Sequence, residues 1–385
     1  MVLNCLHIAS FNGNIGDNAN HKGFYPWIES ILKEKINFYF QEIREFYWKK
    51  KKWDSGFIDY INEFDLVILG GGNYFELWVE DSPSGTSIGI NPSVIKNIKV
   101  PIFFNALGVD PGQGVPNICK LKFRKFLDEV LSRENFLVSV RNDGAIENVR
   151  KHIGEEYKQQ ILHGVDHGFF AAYQSIDLNN RFGIDKNSKN IAINIASDMS
   201  EIRFKGYKEK GEMGFIMELA SFIEELCSKY TEINIILIPH IFRDLNIIYK
   251  LLDNLSDELR RTRVRVAGYE IGHSGAANNF GIYKSSDLSI GMRFHANVVP
   301  IGLGTKTLGI SCYPQITNLY RELSSLEKCI DVSKNGFKDE LIKKSIDLIN
   351  QKNNTNTEKQ TVNSIRDEIT PRVKGWLSKF FEVNE

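Results

Sequence analysis

The chain has 385 residues, too many for one ordinary domain and enough for two of common size. It is 42% hydrophobic and 25% charged with a formal net charge of +0, which excludes the strongly basic footprint of a nucleic-acid-binding protein and leaves a soluble composition able to bury cores. The five cysteines are Cys5, Cys119, Cys227, Cys312 and Cys329; they are odd in number, far apart and without a CxxC pair, which argues against a zinc site or disulfide framework and for a reducing compartment.

The opening MVLNCLHIASFNG lacks the basic start and long apolar run of a signal peptide. No apolar stretch approaches the ~20 residues of a membrane span. A cytoplasmic location is expected. Strand candidates then follow at residues 3–10, 36–41, 66–69, 102–106, 136–140 and 161–165, with amphipathic stretches at 118–131 and 145–153. A second set repeats the rhythm. Strands are expected at 191–195, 233–238, 264–267, 288–291, 307–311 and 329–332, and helices at 212–229, 245–255 and 340–349. Alternation of this kind builds parallel sheets covered by helices.

The fold class expected is therefore α/β, as two doubly wound, Rossmann-like domains facing a cleft. Residues 1–175 would form the first domain and 190–350 the second, with the seam in the polar stretch 174–189. Residues 351–360 read as a linker, and 361–385 carry a terminal helix over 362–381.

In doubly wound sheets ligands bind beyond the carboxyl ends of the strands, so the residues just after each strand are the informative ones. After the first strand comes FNGNIGDNAN, where Gly13 and Gly16 permit a tight turn, Asp17 can cap the next helix, and Asn14 and Gly16 can cradle an anion. The next glycine-rich turn is GGGNYFELW. Gly70, Gly71 and Gly72 admit a closely approaching ligand or backbone, followed by Asn73, by Glu76 as acid, base or hydroxyl acceptor, and by Trp78 as a sugar-stacking platform. A flexible loop with a buried Trp is the plainer reading. NALGVDPGQG follows at 105–114.

Arg141 ends a strand in RNDGA and is either a solvated cation or an anion-binding group. His163 and His167 read as ordinary hydrogen-bonded histidines. In the second half, PHIFRD contributes His240 and Asp244, and YEIGHS spans 269–274. Then comes SIGMRFHANVVPIGLGTKTLGIS, residues 289–311, with Arg293 and His295 inside an apolar stretch. Two residues apart on a strand, they would face one ligand. A short helix over 296–303 should follow, an expectation that Pro300 weakens unless it lies in the first turn.

GLGTKT at 302–307 only echoes a phosphate loop, because its Gly and Lys are not adjacent. There is no GxGxxG after a strand, no HExxH and no Asp-x-Asp pair, so no metal site is expected. WKKKKW at 48–53 is the one marked basic cluster: a solvated loop, or a contact for an anionic membrane surface or polyanionic glycan.

Taken in order, NIGDNA, GGGNYFELW, ALGVDPG, SVRND, GVDHG and GMRFHANVVPIGLGTKTLGIS resemble the polysaccharide pyruvyl transferase family over residues 14 to about 320. The resemblance implies a fold similar to the two-domain GT-B glycosyltransferases. It also implies transfer of an enolpyruvyl-derived group from phosphoenolpyruvate onto two sugar hydroxyls, giving a pyruvate ketal on a cell-surface polysaccharide such as a capsule or exopolysaccharide. By that resemblance Arg293 and His295 serve the donor, with Arg141 beside them. From their places after the strands, Asn14 and Gly16 are expected at the donor, and Gly71, Gly72, Asn73, Glu76, Trp78 and His240 at the saccharide acceptor, free or lipid-linked; no cofactor is needed.

Two positions depart from the family pattern. Glu76 precedes Leu77 and Trp78 where the family usually has Asp, and His167 follows Asp166 where the family often has Pro. A GT-B glycosyltransferase using a nucleotide sugar and a non-catalytic glycan-binding protein are the competing classes. Contact with the inner membrane face and the oligomeric state stay open.

Overall fold

A computed structural model describes residues 2–351 and 356–383. The first set of strands is β1 (Leu3–Ala9), β2 (Ile36–Glu42), β3 (Leu66–Gly70), β4 (Phe75–Glu76), β5 (Ile102–Leu107), β6 (Val109–Asp110), β7 (Phe136–Val140) and β8 (Leu162–His163). The second is β9 (Lys189–Asn194), β10 (Ile233–Leu237), β11 (Val264–Val266), β12 (Leu288–Gly291), β13 (Thr307–Ser311) and β14 (Cys329–Asp331). Two six-stranded sheets result, in the orders β2-β1-β3-β5-β7-β8 and β11-β10-β9-β12-β13-β14, and every paired strand is parallel. The central strands LVILG and IFFNAL of the first sheet are buried along their whole length, as strands covered by helices on both faces must be.

The chain divides into two compact units assembled from separated pieces: Met1–Phe11, Phe24–His167 and Val362–Glu385 form one, Asn12–Gly23 and Gly168–Thr361 the other. The loop after β1 and the first part of helix α1 (Ile15–Leu32) thus group with the second unit. Ile15 and Ala19 pack there among Ala192, Ile236, Ala296 and Val299. The last helix, α2 (Thr357–Leu377), groups from Val362 onward with the first unit. It packs Ile369, Val373, Trp376 and Leu377 against Phe103 and Leu162. Trp27 donates to Thr370 at 3.1 Å and Trp376 to the Glu134 carbonyl at 2.8 Å. Of the stretch read as a linker, residues 352–355 lie outside the described residues, and helix already begins at Thr357.

Two local expectations are corrected. Asp17 is not the residue that opens α1, because it lies inside the helix; Asn14 precedes it, and its side-chain oxygen accepts the Gly16 amide at 3.0 Å. Arg293 and His295 do not share a strand, because β12 stops at Gly291 and His295 is the first residue of a helix, His295–Leu303, that runs through Pro300.

Candidate active site

Each sheet reverses its strand order once, and such a reversal opens a crevice at the carboxyl ends of the two strands flanking it. In the second sheet the reversal lies between β9 and β12. The residue pair singled out in the sequence sits there. The Arg293 amide donates to the Asn194 side-chain oxygen at 3.0 Å, and Asn194 ends β9. Asn297 donates to the carbonyls of Gly291 and Arg293 at 3.0 and 2.8 Å and accepts from the Tyr320 hydroxyl at 2.9 Å. The strand-to-helix turn is thereby fixed from both sides.

The Arg293 guanidinium is not a free fork. Its Nε donates to Asp244 at 2.8 Å, and its Nη2 donates to Asp244 and, at 2.6 Å, to Asp198. Asp244 is fully buried and also accepts the His240 and Ile241 amides at 2.9 and 3.2 Å, so one carboxylate sets the loop after β10 and aims the arginine. Burial pushes the Asp198 carboxyl up, but Arg293 and Arg203 together hold it below the ordinary range. Burial likewise works against the Arg293 charge, and the two carboxylates more than offset it. Only Nη1 carries no hydrogen bond among the described residues, which leaves one edge of a charged fork for a ligand.

His295 is 6% exposed and lies directly under the N-terminal loop. A Cβ on Gly16 would stand 2.4 Å from the His295 Nδ1, so only glycine lets α1 start against the imidazole. The loop is tied down by the Ile15 amide donating to the His240 carbonyl at 3.3 Å and by the Asn14–Ile241 bridge. His240 is wholly buried, with Nε2 2.7 Å from the Tyr283 hydroxyl. Burial, then the charges of Arg293 and His295, hold its pKa well below the ordinary value. It was expected on the acceptor side; the structure instead sets it behind Arg293 with no exposed surface to offer a sugar.

In the first sheet the reversal lies between β1 and β3, and the triple-glycine turn occupies it. Gly71 has φ +86°, and a Cβ on Gly70 would meet the Asn105 carbonyl oxygen at 2.1 Å. The Tyr74 hydroxyl accepts the Ser10 amide at 2.8 Å, joining the ends of the two strands. Gly72 packs on the Tyr74 ring, Asn73 donates to Asp110 at 3.0 Å, and Trp78 is half-buried. Burial pushes the Glu76 carboxyl up to about 7, against a lowering hydrogen bond from Ser87, with Asp110 adding to the rise. A carboxyl held there can give or take a proton at neutral pH.

Arg141, expected as a donor contact, is 3% exposed; its Nε donates to Asp143 at 2.7 Å and its Nη1 faces Asp166 at 3.5 Å. Gly108 is needed beside it, since a Cβ there would stand 2.8 Å from Nη2. His167 is buried between Phe24 and Trp27, 3.2 Å from Asn105, and burial drops its pKa to about 3. It is a core histidine, as the sequence reading favoured. The lysine run forms an exposed loop, with Lys50 5.0 Å from the centre of the Trp48 ring and an open pocket of about 470 Å³ lined by Lys49 to Lys52.

Sequence reasoning gave Asp198 no role, and Asp244 only a mention. Their partner lies 95 and 49 residues away, and no local spacing records such a pairing. The one available signal was position, since both follow a strand's carboxyl end.

Among solved structures, a UDP-N-acetylglucosamine 2-epimerase (given as putative) from Listeria monocytogenes superposes with TM-score 0.59 at 11% identity, over 100% of this chain and 98% of that one. A glycosyltransferase from Rickettsia africae gives 0.56 at 10% over 100% of both chains. An Anabaena protein solved with UDP and glucose gives 0.55 at 10% over 98% of this chain and 100% of that one. These likenesses establish a GT-B-like α/β fold of two parallel sheets. No curated protein matches the chain. The polysaccharide pyruvyl transferase profile matches residues 13–314, from the loop ahead of α1 through the arginine–histidine turn and past β13, and the chain belongs to that family.

Proposed function

We propose that the chain joins the three-carbon unit of phosphoenolpyruvate to two hydroxyls of one sugar residue, closing a pyruvate ketal and releasing phosphate. A cell-surface polysaccharide or its precursor is the acceptor. The observation that carries this reading is the Arg293–His295 turn at the switch point of the second sheet, in a chain of this family. The donor is a compact dianion or trianion. Arg293 offers it the Nη1 edge, and each charge-assisted hydrogen bond contributes about 1.5–3 kcal/mol. Asn14 and Gly16 complete the donor wall.

In this reaction a proton adds to the methylene carbon of the donor, and a sugar hydroxyl bonds to the cationic carbon and loses its proton. The carbon–oxygen bond to phosphate then breaks, phosphate leaves with the electron pair, and the second hydroxyl bonds and loses its proton. Of the two protons lost, one replaces that spent on the methylene carbon and the other leaves with phosphate. Atoms and charge balance without a resident cofactor or metal. His295 is assigned the proton exchange, which imidazole performs near neutrality. Glu76, with Gly71, Gly72, Asn73 and Trp78, is assigned to the acceptor. Arg141 is assigned a holding role between Asp143 and Asp166.

The deciding experiment is phosphate release from phosphoenolpyruvate with a panel of glycosides, with and without chelator. It is paired with calorimetry against phosphoenolpyruvate and UDP-N-acetylglucosamine, the competing donor class. An obligatory nucleotide sugar or divalent metal would end this reading. The lysine run at 49–52, with Trp48 57% exposed, is assigned to an anionic membrane surface, where a lipid-linked acceptor would be presented. Cosedimentation with phosphatidylserine vesicles should be lost on replacing Lys49, Lys50 and Lys52 by Glu; unchanged cosedimentation would remove the assignment.

A further inference from the structure

Beside the Arg293 clamp, within the second unit, lies an open pocket of about 430 Å³ that the transfer reading leaves unused. Its walls include Ser197 and Ser200 after β9, Phe242, Arg243 and Asn246 after β10, and Glu212 opposite. Phe242 is 69% exposed, an unusual state for a phenyl ring at the mouth of a sheet. It is held edge-to-face on Tyr269, with ring centres 6.1 Å apart. The Arg243 guanidinium makes no hydrogen bond or ion pair among the described residues, although its main-chain carbonyl accepts the Ser197 hydroxyl at 3.0 Å. Glu212 is paired with Lys250 at 2.7 Å, which orients its carboxylate. Ser197 immediately precedes Asp198 and Arg243 immediately precedes Asp244, so the pocket is one residue from each carboxylate that holds Arg293.

We propose that this pocket is a subsite for a neutral hexopyranose unit of the acceptor, with the sugar's C–H face on Phe242 and its hydroxyls on Arg243, Asn246 and Glu212. The chemistry fits a sugar on both counts. A flat apolar ring offers stacking area at little entropic cost, and planar polar groups at its edge match vicinal hydroxyls. With Glu212 answered by Lys250, Arg243 is the one uncompensated charge among the walls named here, less than a nucleoside diphosphate calls for. The proposal rests on the transfer reading for the identity of its occupant.

Its test does not use the donor. Saturation-transfer NMR is measured on the intact chain with methyl glycosides of glucose, galactose and mannose, and separately with UDP. Wild type and Tyr249→Ala, a change at another exposed ring outside the pocket, should transfer magnetisation to glycoside C–H protons. Phe242→Ala should bind roughly tenfold more weakly, the loss expected for one stacked aromatic face. Arg243→Gln should weaken binding less, with unaltered melting temperature in both. No transfer to any glycoside on wild type, transfer unchanged in Phe242→Ala, or UDP binding lost in the same variants would each overturn the subsite. Because phosphoenolpyruvate is absent, glycoside binding at Phe242 would stand even if phosphate release failed. Phosphate release with a silent pocket would remove the subsite alone.

Discussion

Each unit of this protein clamps an arginine between two aspartates just past a strand end, and the two clamps differ in their access to water. Arg141, Asp143 and Asp166 are 3%, 3% and 0% exposed, whereas Arg293, Asp198 and Asp244 are 14%, 22% and 0% exposed. The first clamp is sealed from solvent. The second keeps part of the Arg293 and Asp198 side chains within reach of solvent. The same three residue types therefore form an internal brace in one place and, in the other, the clamp to which we assign the donor anion, and what separates them is a modest opening.

The sharpest way to press the comparison is to change the imidazole beside the open clamp. His295→Asn should cut turnover by about 10²–10⁴-fold and remove one limb of the pH–rate profile, while donor affinity stays close to normal. Near-normal turnover with an unchanged profile would take His295 out of the chemistry.

The arginines themselves come next. Arg141→Met removes the cation that faces two buried carboxylates and should lower stability by about 3–5 kcal/mol, read by denaturant melts. Arg293→Lys keeps its charge and loses the fork; it should leave folding near normal and weaken phosphoenolpyruvate binding by about 2–3 kcal/mol in calorimetry. If the two variants swapped these phenotypes, the contrast between brace and receptor would be wrong.

Gly16→Ala refines the open side. Its new methyl must displace the His295 ring, so turnover should drop by roughly tenfold while melting temperature moves by only a few degrees. Wild-type turnover in this variant would show that the ring need not sit where the N-terminal loop puts it.

Glu76 gives the smallest effect and a signed one. Its folded pKa of about 7 lies above the ordinary carboxylate value of 4.5, so the folded state binds the proton more tightly. The stability this adds is complete below the ordinary value and is lost as pH rises through about 7. Glu76→Gln should therefore melt higher than wild type at pH 8, about one unit above that pKa, with the gap closing as the medium turns acidic. A gap that does not depend on pH would show that the carboxyl titrates normally.

Most strands were legible because a strand covered on both faces must be apolar throughout, and runs such as those at 66–69, 136–140 and 307–311 have no other reading in an alternating chain. The helix Gly272–Ser285 was not legible. It is built largely of glycine, alanine, serine and asparagine, packs by close approach, and leaves little apolar stripe to detect. The arginine–histidine turn was found by its oddity, a cation amid apolar neighbours. Its carboxylate partners were not, because ion pairs between distant strand ends follow topology rather than spacing. His240 was assigned to the acceptor by its place after a strand; the burial that excludes it depends on Tyr283 and the N-terminal loop, neither adjacent in sequence.

The interleaving of the two units bears on how this polypeptide can be made. Residues 12–23 leave the ribosome early, but their partners Ala192, Ile236 and Val299 are synthesised much later. The apolar face of the first sheet that ends up under Trp376 and Leu377 waits for residues made long after Phe103 and Leu162. The first unit cannot reach its final packing before Val362–Leu377 is made, so exposed Phe103 and Leu162 must be tolerated or shielded until then. A chain cut short at residue 350 would carry the complete arginine–histidine turn and still present that uncovered face, a species expected to aggregate rather than to act.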